Sequence, residues 1–212
     1  MNYNAHVDQI LEQLRGYAAV HRKSIQPFTR DKLLSHFPDY HLEFDHVIAR
    51  ESLLEHVGCL PILAAFIHPH LDQDVNLGRS LIMLAIHDIG ELEVGDELTF
   101  LKAKDQSLSE YQAAQRLLHP NYRPIYDELD AMTTNEAKFV KSVDKIAPDF
   151  LDYLCGEQFT IDRMVRQAGW AASDAIQNIR QHKRPFMEWS TYLTGIHDAL
   201  WNRFESIAKK EV

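Results

Sequence analysis

One apolar helical run, which ends abruptly in ionisable residues, constrains this chain more than any other feature. Residues 81–96 read LIMLAIHDIGELEVGD. The first six residues are apolar and can fill a core. The ionisable residues that follow include His87, Asp88, Glu91 and Asp96. A buried helix has no need of such groups at its end, because uncompensated burial of charge is costly, whereas a metal site between helices requires them.

Apolar residues recur at three- and four-residue steps along most of the chain, which is typical of amphipathic helices. The pattern covers residues 1–20, 50–67, 76–87, 107–119, 124–132, 136–147 and 161–168, and a last stripe runs from Pro185 through Ile207. Two prolines interrupt residues 27–40, where we expect short helices or turns. Sustained two-residue alternation and Asn-Gly or Asp-Gly hairpin signals are both absent from the sequence. We therefore predict an all-α fold with a single domain over residues 1–212. Its core motif region would lie at 50–154 and its C-terminal helices at 156–212.

Two sequence pairs have the spacing of a capping box, in which Ser or Thr is followed three residues later by Glu. Ser107 with Glu110 predicts the start of one helix, and Thr133 with Glu136 predicts the start of the next.

Charge and cysteine content exclude several classes of protein. The chain has 31 acidic residues against 22 lysines and arginines, for a net charge of −9. Such a chain offers no basic surface for a nucleic-acid polymer or an anionic membrane. It can still bind a small phosphate if a metal ion supplies local positive charge. Only two cysteines occur and the N-terminus does not resemble a signal peptide, so we expect a cytoplasmic protein.

Three separate helical segments each carry an ionisable residue on the apolar face. His56 has Leu53 and Leu60 as helical neighbours, and His87 follows Leu84 by one turn. Asp144 lies one turn after Val140. Each residue has an alternative explanation by itself, because a core histidine is commonly satisfied by hydrogen bonds and an aspartate can pair with a lysine. Together with Asp88, they make a set of two imidazoles and two carboxylates.

A mixed nitrogen and oxygen donor set favours a divalent ion such as Mn²⁺, Co²⁺, Fe²⁺ or Mg²⁺, with Zn²⁺ as a further alternative. Two other residues near this set are candidates for binding a phosphate. Arg50 precedes His56 by six residues, and Lys141 precedes Asp144 by one turn. For both residues, a solvated surface position is an equally good interpretation.

The order His56, then His87-Asp88, then Asp144 resembles the H…HD…D signature of HD-domain metal-dependent phosphohydrolases. Two segments are similar to the 5′-deoxynucleotidase branch of that superfamily, HDIGELEVGD and NEAKFVKSVDKI. The resemblance covers residues 50–154 and implies metal ligands at His56, His87, Asp88 and Asp144.

The same resemblance implies further roles. Glu91 would activate or position the attacking water or hold a second ion, and Asp96 would recognise the sugar or a second metal. Glu91 lies three residues after Asp88, so a helical continuation would place both carboxylates on one side. The chain departs from the family at Val57, where a small polar residue is usual, and residues 1–49 contain no recognisable nucleotide-pocket segment.

The expected function is hydrolysis of a phosphate monoester, specifically a (deoxy)nucleoside 5′-monophosphate, by a metal-activated water. One alternative is hydrolysis of another small phosphate or a signalling nucleotide. Another is a non-catalytic, metal-stabilised HD module. The aromatic stripe of the last helix predicts packing within the chain's own bundle, with a homodimer interface as the alternative.

Overall fold

The computed structural model describes residues 2–19, 53–95, 104–155 and 171–208. Its helices are α1 (Tyr3–Ala19), α2 (Leu53–Ile67), α3 (Leu77–Ile86), α4 (Glu91–Val94), α5 (Lys104–Leu117), α6 (Arg123–Ala131), α7 (Asn135–Cys155), α8 (Ala172–Lys183) and α9 (Thr191–Ala208). Short 3₁₀ turns lie at His68–His70, Pro120–Tyr122 and Arg184–Phe186. These four ranges contain no β-strand, so the predicted all-α class is confirmed.

Helix α7 lies at the centre of the fold, with α2, α3, α6 and α9 packed against it. Its apolar face is fully buried, including Phe139, Val143 and Phe150. One continuous cluster of buried apolar residues joins α7 to α1, α2, α3, α6, α8 and α9. A smaller cluster, formed by Ala114, Leu118 and Tyr126, packs α5 against α6. This arrangement places one face of α7 beside α2 and the C-terminal end of α3.

The stripe expected on the last helix packs into this core. Leu193, Ile196, Leu200 and Phe204 are all buried. The helix itself begins at Thr191 and not at Pro185, because Arg184–Phe186 forms a separate 3₁₀ turn after α8. The alternative of a homodimer interface stays a prediction.

Neither predicted capping box is present as such. Thr134, not Thr133, caps α7, since its Oγ1 accepts a hydrogen bond from Ala137 N at 3.2 Å. Glu136 instead accepts from the backbone N–H of Asn76 at 2.8 Å, at the start of α3. Ser107 lies inside α5, which already includes Lys104. A capping motif specifies only a three-residue spacing, so neighbouring threonines and mid-helix serines satisfy it equally well.

Several expectations fall outside the described ranges. They are the structure of residues 27–40, the helix expected at 161–168, and the environments of Arg50 and Asp96. Within the described ranges, no helix has the length and apolarity needed to cross a bilayer.

Candidate metal centre

Three elements of the bundle converge at one point and bring four predicted ligands together. His56 lies in the first turns of α2, and Asp144 lies in the middle of α7. His87 directly follows α3, still in helical conformation, and Asp88 comes next in the turn leading to α4. Because α2 and α3 both pack on α7, residues 88 positions apart in sequence face each other.

The interatomic distances show how compact this cluster is. His87 Nε2 lies 2.8 Å from Asp88 Oδ2 and 3.6 Å from Asp144 Oδ1. His56 Nε2 lies 3.3 Å from Asp144 Oδ1 and 3.6 Å from Asp88 Oδ2. The four residues each offer a ligand atom, and all of these atoms lie within 4.8 Å of one another. Two nitrogens and two oxygens at such separations are suited to surround one metal ion.

The two ring nitrogens of His87 are distinguished by their surroundings. Nδ1 lies 2.8 Å from the carbonyl oxygen of Leu84 and donates a hydrogen bond to it, so Nε2 is the nitrogen that carries the lone pair when the ring is neutral. Nε2 is buried, and none of the described residues forms a hydrogen bond with it in proper geometry. Metal-binding histidines characteristically donate one N–H to a carbonyl and coordinate through the other nitrogen. The residues present therefore fit a bound metal.

Electrostatic interactions within the cluster oppose the effect of burial on the pKa values of His87 and Asp144. Burial alone would lower the pKa of His87, but Asp144 and Asp88 act in the other direction and raise it to about 9. Burial would raise the pKa of Asp144, whereas Lys145 and the two histidines hold that pKa well below its usual range. Without a metal, a proton on the His87 ring supplies positive charge next to the carboxylates. A divalent cation would replace that proton and be held by the same carboxylates.

Glu91 is not among the four residues of this cluster but adjoins it. With Asp88 and Glu110 it forms a second group of carboxylates whose ligand atoms also lie within 4.8 Å of one another. Glu91 opens the short helix α4, and its backbone N–H donates to Asp88 O at 3.0 Å. The expectation that Glu91 would lie beside Asp88 on a helical continuation agrees with this geometry.

Glu110 was not identified as a site residue from the sequence, which indicated a capping role for it. It reaches the site because α4 and α5 approach each other at Gly90. A Cβ atom at position 90 would lie 2.3 Å from Glu110 O. No sequence signal connects residue 110 with residue 90, apart from the presence of a glycine where close approach is needed.

The lysine that contacts the cluster is Lys145 and not Lys141. Lys145 Nζ lies 2.9 Å from Asp144 Oδ2, and its side chain is 17% exposed. Lys141 is half-buried on α7, one turn before Asp144, and a substrate-binding function for it stays a prediction. The sequence spacing favoured Lys141 because residues one turn apart share a helix face. A lysine side chain is long enough to fold back onto the preceding residue.

Helices packed around two histidines and two aspartates define an all-α protein with a candidate metal centre. The model of the HD domain family matches residues 42–180, and the chain belongs to that family. A predicted metal-dependent phosphohydrolase from Magnetospirillum magnetotacticum MS-1, solved by crystallography, is similar in structure with a TM-score of 0.60. The two are 25% identical, over 74% of this chain and 80% of that one. The chain matches no curated protein.

Proposed function

We propose that this HD-domain protein is a metal-dependent phosphohydrolase that cleaves a phosphate monoester, specifically a (deoxy)nucleoside 5′-monophosphate. The observation that carries the metal dependence is the buried Nε2 of His87, which faces the carboxylates of Asp88 and Asp144 at 2.8 and 3.6 Å without a well-oriented hydrogen bond to a described residue. Membership of the HD domain family and likeness to a predicted metal-dependent phosphohydrolase support the reaction class.

His56, His87, Asp88 and Asp144 would hold the ion. Two imidazole nitrogens and two carboxylate oxygens suit Mn²⁺, Co²⁺, Fe²⁺ or Mg²⁺, and Zn²⁺ is a further alternative. A divalent ion bound by these residues would act as a Lewis acid toward the phosphoryl group and would lower the pKa of a water in contact with it.

The chain's own residues would handle the proton and the substrate. Glu91, next to Asp88 at the start of α4, would accept the proton of the attacking water. In the balanced reaction a bond forms between the water oxygen and phosphorus, and the bond between phosphorus and the ester oxygen breaks. The ester oxygen leaves with a proton as the alcohol. The products are therefore an alcohol and inorganic phosphate.

Nucleotide specificity is supported by the similarity of HDIGELEVGD and NEAKFVKSVDKI to the 5′-deoxynucleotidase branch. On this proposal Asp96 contacts the sugar, and Arg50 and Lys141 contact the phosphate. The same centre would serve another small phosphate or a signalling nucleotide if the pocket differs, and Val57 is where this chain departs from the family.

The first test combines metal analysis with phosphate release. The purified protein should contain a divalent metal and should release phosphate from nucleoside 5′-monophosphates when Mn²⁺ or Co²⁺ is supplied. His87→Ala and Asp144→Ala should lose bound metal and at least about a hundredfold in turnover, because the electrophile is lost with the ligand. Glu91→Gln should keep its metal yet lose about a hundredfold or more, because proton transfer is lost.

Replacement of His182, an exposed histidine of α8, by Ala provides the matched control and should leave both properties unchanged. Parent-like metal content and turnover in His87→Ala would refute the assignment of the metal centre. A metal-loaded parent that hydrolyses no phosphate ester at all would instead point to a non-catalytic HD module. Comparing 5′- with 3′-monophosphates, and ribo- with deoxyribonucleotides, tests the specificity.

A further inference from the structure

Lys145 is a cationic side chain in direct contact with the candidate metal centre, and the proposed proton transfer and metal binding do not involve it. It follows Asp144 in α7, and its ammonium lies on that carboxylate at 2.9 Å. Asp88 and Glu91 also attract it electrostatically. Enclosing a lysine this far within a protein is costly, so the position calls for an explanation beyond chance placement.

The two oxygens of Asp144 face different partners. Oδ1 lies toward His56 Nε2 at 3.3 Å and His87 Nε2 at 3.6 Å. Oδ2 lies toward Lys145 Nζ. A metal ion held by both histidines and Asp88 would therefore take Oδ1, and the contact with Lys145 can persist at Oδ2. The lysine and the metal do not compete for one oxygen.

Charge balance indicates what the lysine would do once a metal is bound. The carboxylates of Asp88 and Asp144 together offset the charge of one divalent ion. Asp144 would then need no further cation, so a nearby ammonium makes this side of the centre attractive to an anion. Glu91 and Glu110 lie beside Asp88, and the ammonium of Lys145, which Asp88 and Glu91 also attract, contacts Asp144. An incoming phosphate would be drawn toward the side of the centre that Lys145 occupies.

We propose that Lys145 is a catalytic residue that contacts the phosphoryl group of the substrate, with Asp144 Oδ2 holding its ammonium in place. This inference rests on the proposed function, since it names the group that binds the phosphate of that reaction. Lys145 remains charged throughout and supplies a compact positive charge to a non-bridging phosphoryl oxygen, without transferring a proton. The substrate class that fits is a phosphate monoester dianion.

The test uses inorganic phosphate as the probe on the metal-loaded, full-length protein. Lys145→Met removes the charge and keeps most of the length of the side chain, whereas Lys145→Arg keeps the charge. We expect Lys145→Met to retain its metal content and to lose about tenfold or more in affinity for phosphate, measured by calorimetry and as competitive inhibition. Lys145→Arg should recover part of that affinity. Turnover should fall in Lys145→Met through both KM and kcat.

Lys138→Met is the matched control, because Lys138 lies on the same helix about two turns earlier and is half-buried as well. It should bind metal and phosphate as the parent does. A loss of metal in Lys145→Met, with unchanged phosphate affinity of the molecules that remain loaded, would overturn the proposal and make Lys145 a positioning residue for Asp144. Parent-like phosphate affinity in Lys145→Met would overturn it too.

The phosphate-binding measurement separates this inference from the proposed function. If the parent hydrolyses none of the esters yet binds phosphate through Lys145, the proposed function fails and the assignment of Lys145 is supported. If the parent hydrolyses an ester and Lys145→Met does so equally well, the proposed function is supported and the assignment of Lys145 fails.

Discussion

Gly90 determines how closely α4 and α5 approach, and through that contact it positions Glu110 beside Asp88 and Glu91. Its own backbone is in the ordinary right-handed helical region, so the glycine is not required by its φ angle. It is required by space, because a Cβ atom there would lie 2.3 Å from Glu110 O and 2.9 Å from Glu110 Cγ. A backbone atom cannot move aside as a flexible side chain can.

Gly90→Ala should therefore destabilise the protein by about 1–3 kcal/mol, the usual cost of inserting a methyl group into a packed contact. Urea denaturation measures this effect. Gly58→Ala in α2 is the control, because a Cβ atom there meets nothing within 4 Å. In a helix interior that change should stabilise by up to about 1 kcal/mol. Equal effects of the two substitutions would contradict the close-contact argument.

At the scale of single residues, the sequence indicated His56, His87 and Asp144 because they lie on apolar helix faces, and Asp88 because it follows His87. The structure brings all four together, and their function as metal ligands stays a prediction. Glu110 and Lys145 were not identified. The position of Glu110 in the site depends on the contact between α4 and α5. The contact of Lys145 with Asp144 depends on the conformation of the long lysine side chain. Neither property has a periodic signature in the sequence.

At the scale of elements, α9 contains a histidine in an unusual environment. His197 is completely buried, and neither of its ring nitrogens has a hydrogen-bond partner within the described ranges, although Nδ1 lies 3.5 Å from Asp198 Oδ1. Burial lowers the pKa of His197 to about 4. The neutral ring is therefore favoured in the folded protein, and its protonation costs stability.

His197 should make the protein less stable in mild acid. The pKa in the unfolded chain is near 6.5, above the folded value, so the unfolded state binds the proton first as pH falls. Stability is fully present above about pH 6.5 and is lost progressively toward pH 4, by about 2 kcal/mol between pH 7 and pH 5. His197→Phe should flatten this part of the dependence, as measured by urea denaturation at each pH. If the free energy of unfolding of His197→Phe changed with pH as steeply as that of the parent, His197 would not be the group that causes the loss of stability in acid.

At the scale of the whole molecule, one buried ion pair connects the C-terminal helices to the helix that carries Asp144. Asp149 of α7 is 1% exposed, pairs with Lys183 of α8 and accepts a hydrogen bond from Trp201 Nε1 of α9 at 3.0 Å. Three elements therefore depend on one carboxylate. The C-terminal helices share the core of the motif region, so they contribute to its stability.

Lys183→Met should destabilise the protein by about 3–5 kcal/mol, because it leaves a buried carboxylate without its cation. The double variant Asp149→Asn with Lys183→Met should recover part of that loss, since no charge then remains buried. Thermal and urea unfolding measure both variants. Asp8→Asn breaks an exposed ion pair with Arg203 and should cost less than about 1 kcal/mol. A comparable loss in Asp8→Asn would contradict the argument from burial.

The sequence by itself determined the helical class and indicated the four residues that the structure brings together at the candidate metal centre. Both follow from local periodicity, because a three- and four-residue apolar repeat specifies a helix and identifies the face that turns inward. Tertiary structure decided which threonine caps α7, which lysine contacts Asp144, and that Glu110 of α5 lies beside Glu91. Those choices depend on distances between elements far apart in sequence, and on how long side chains fold across them. Local periodicity contains no information about either.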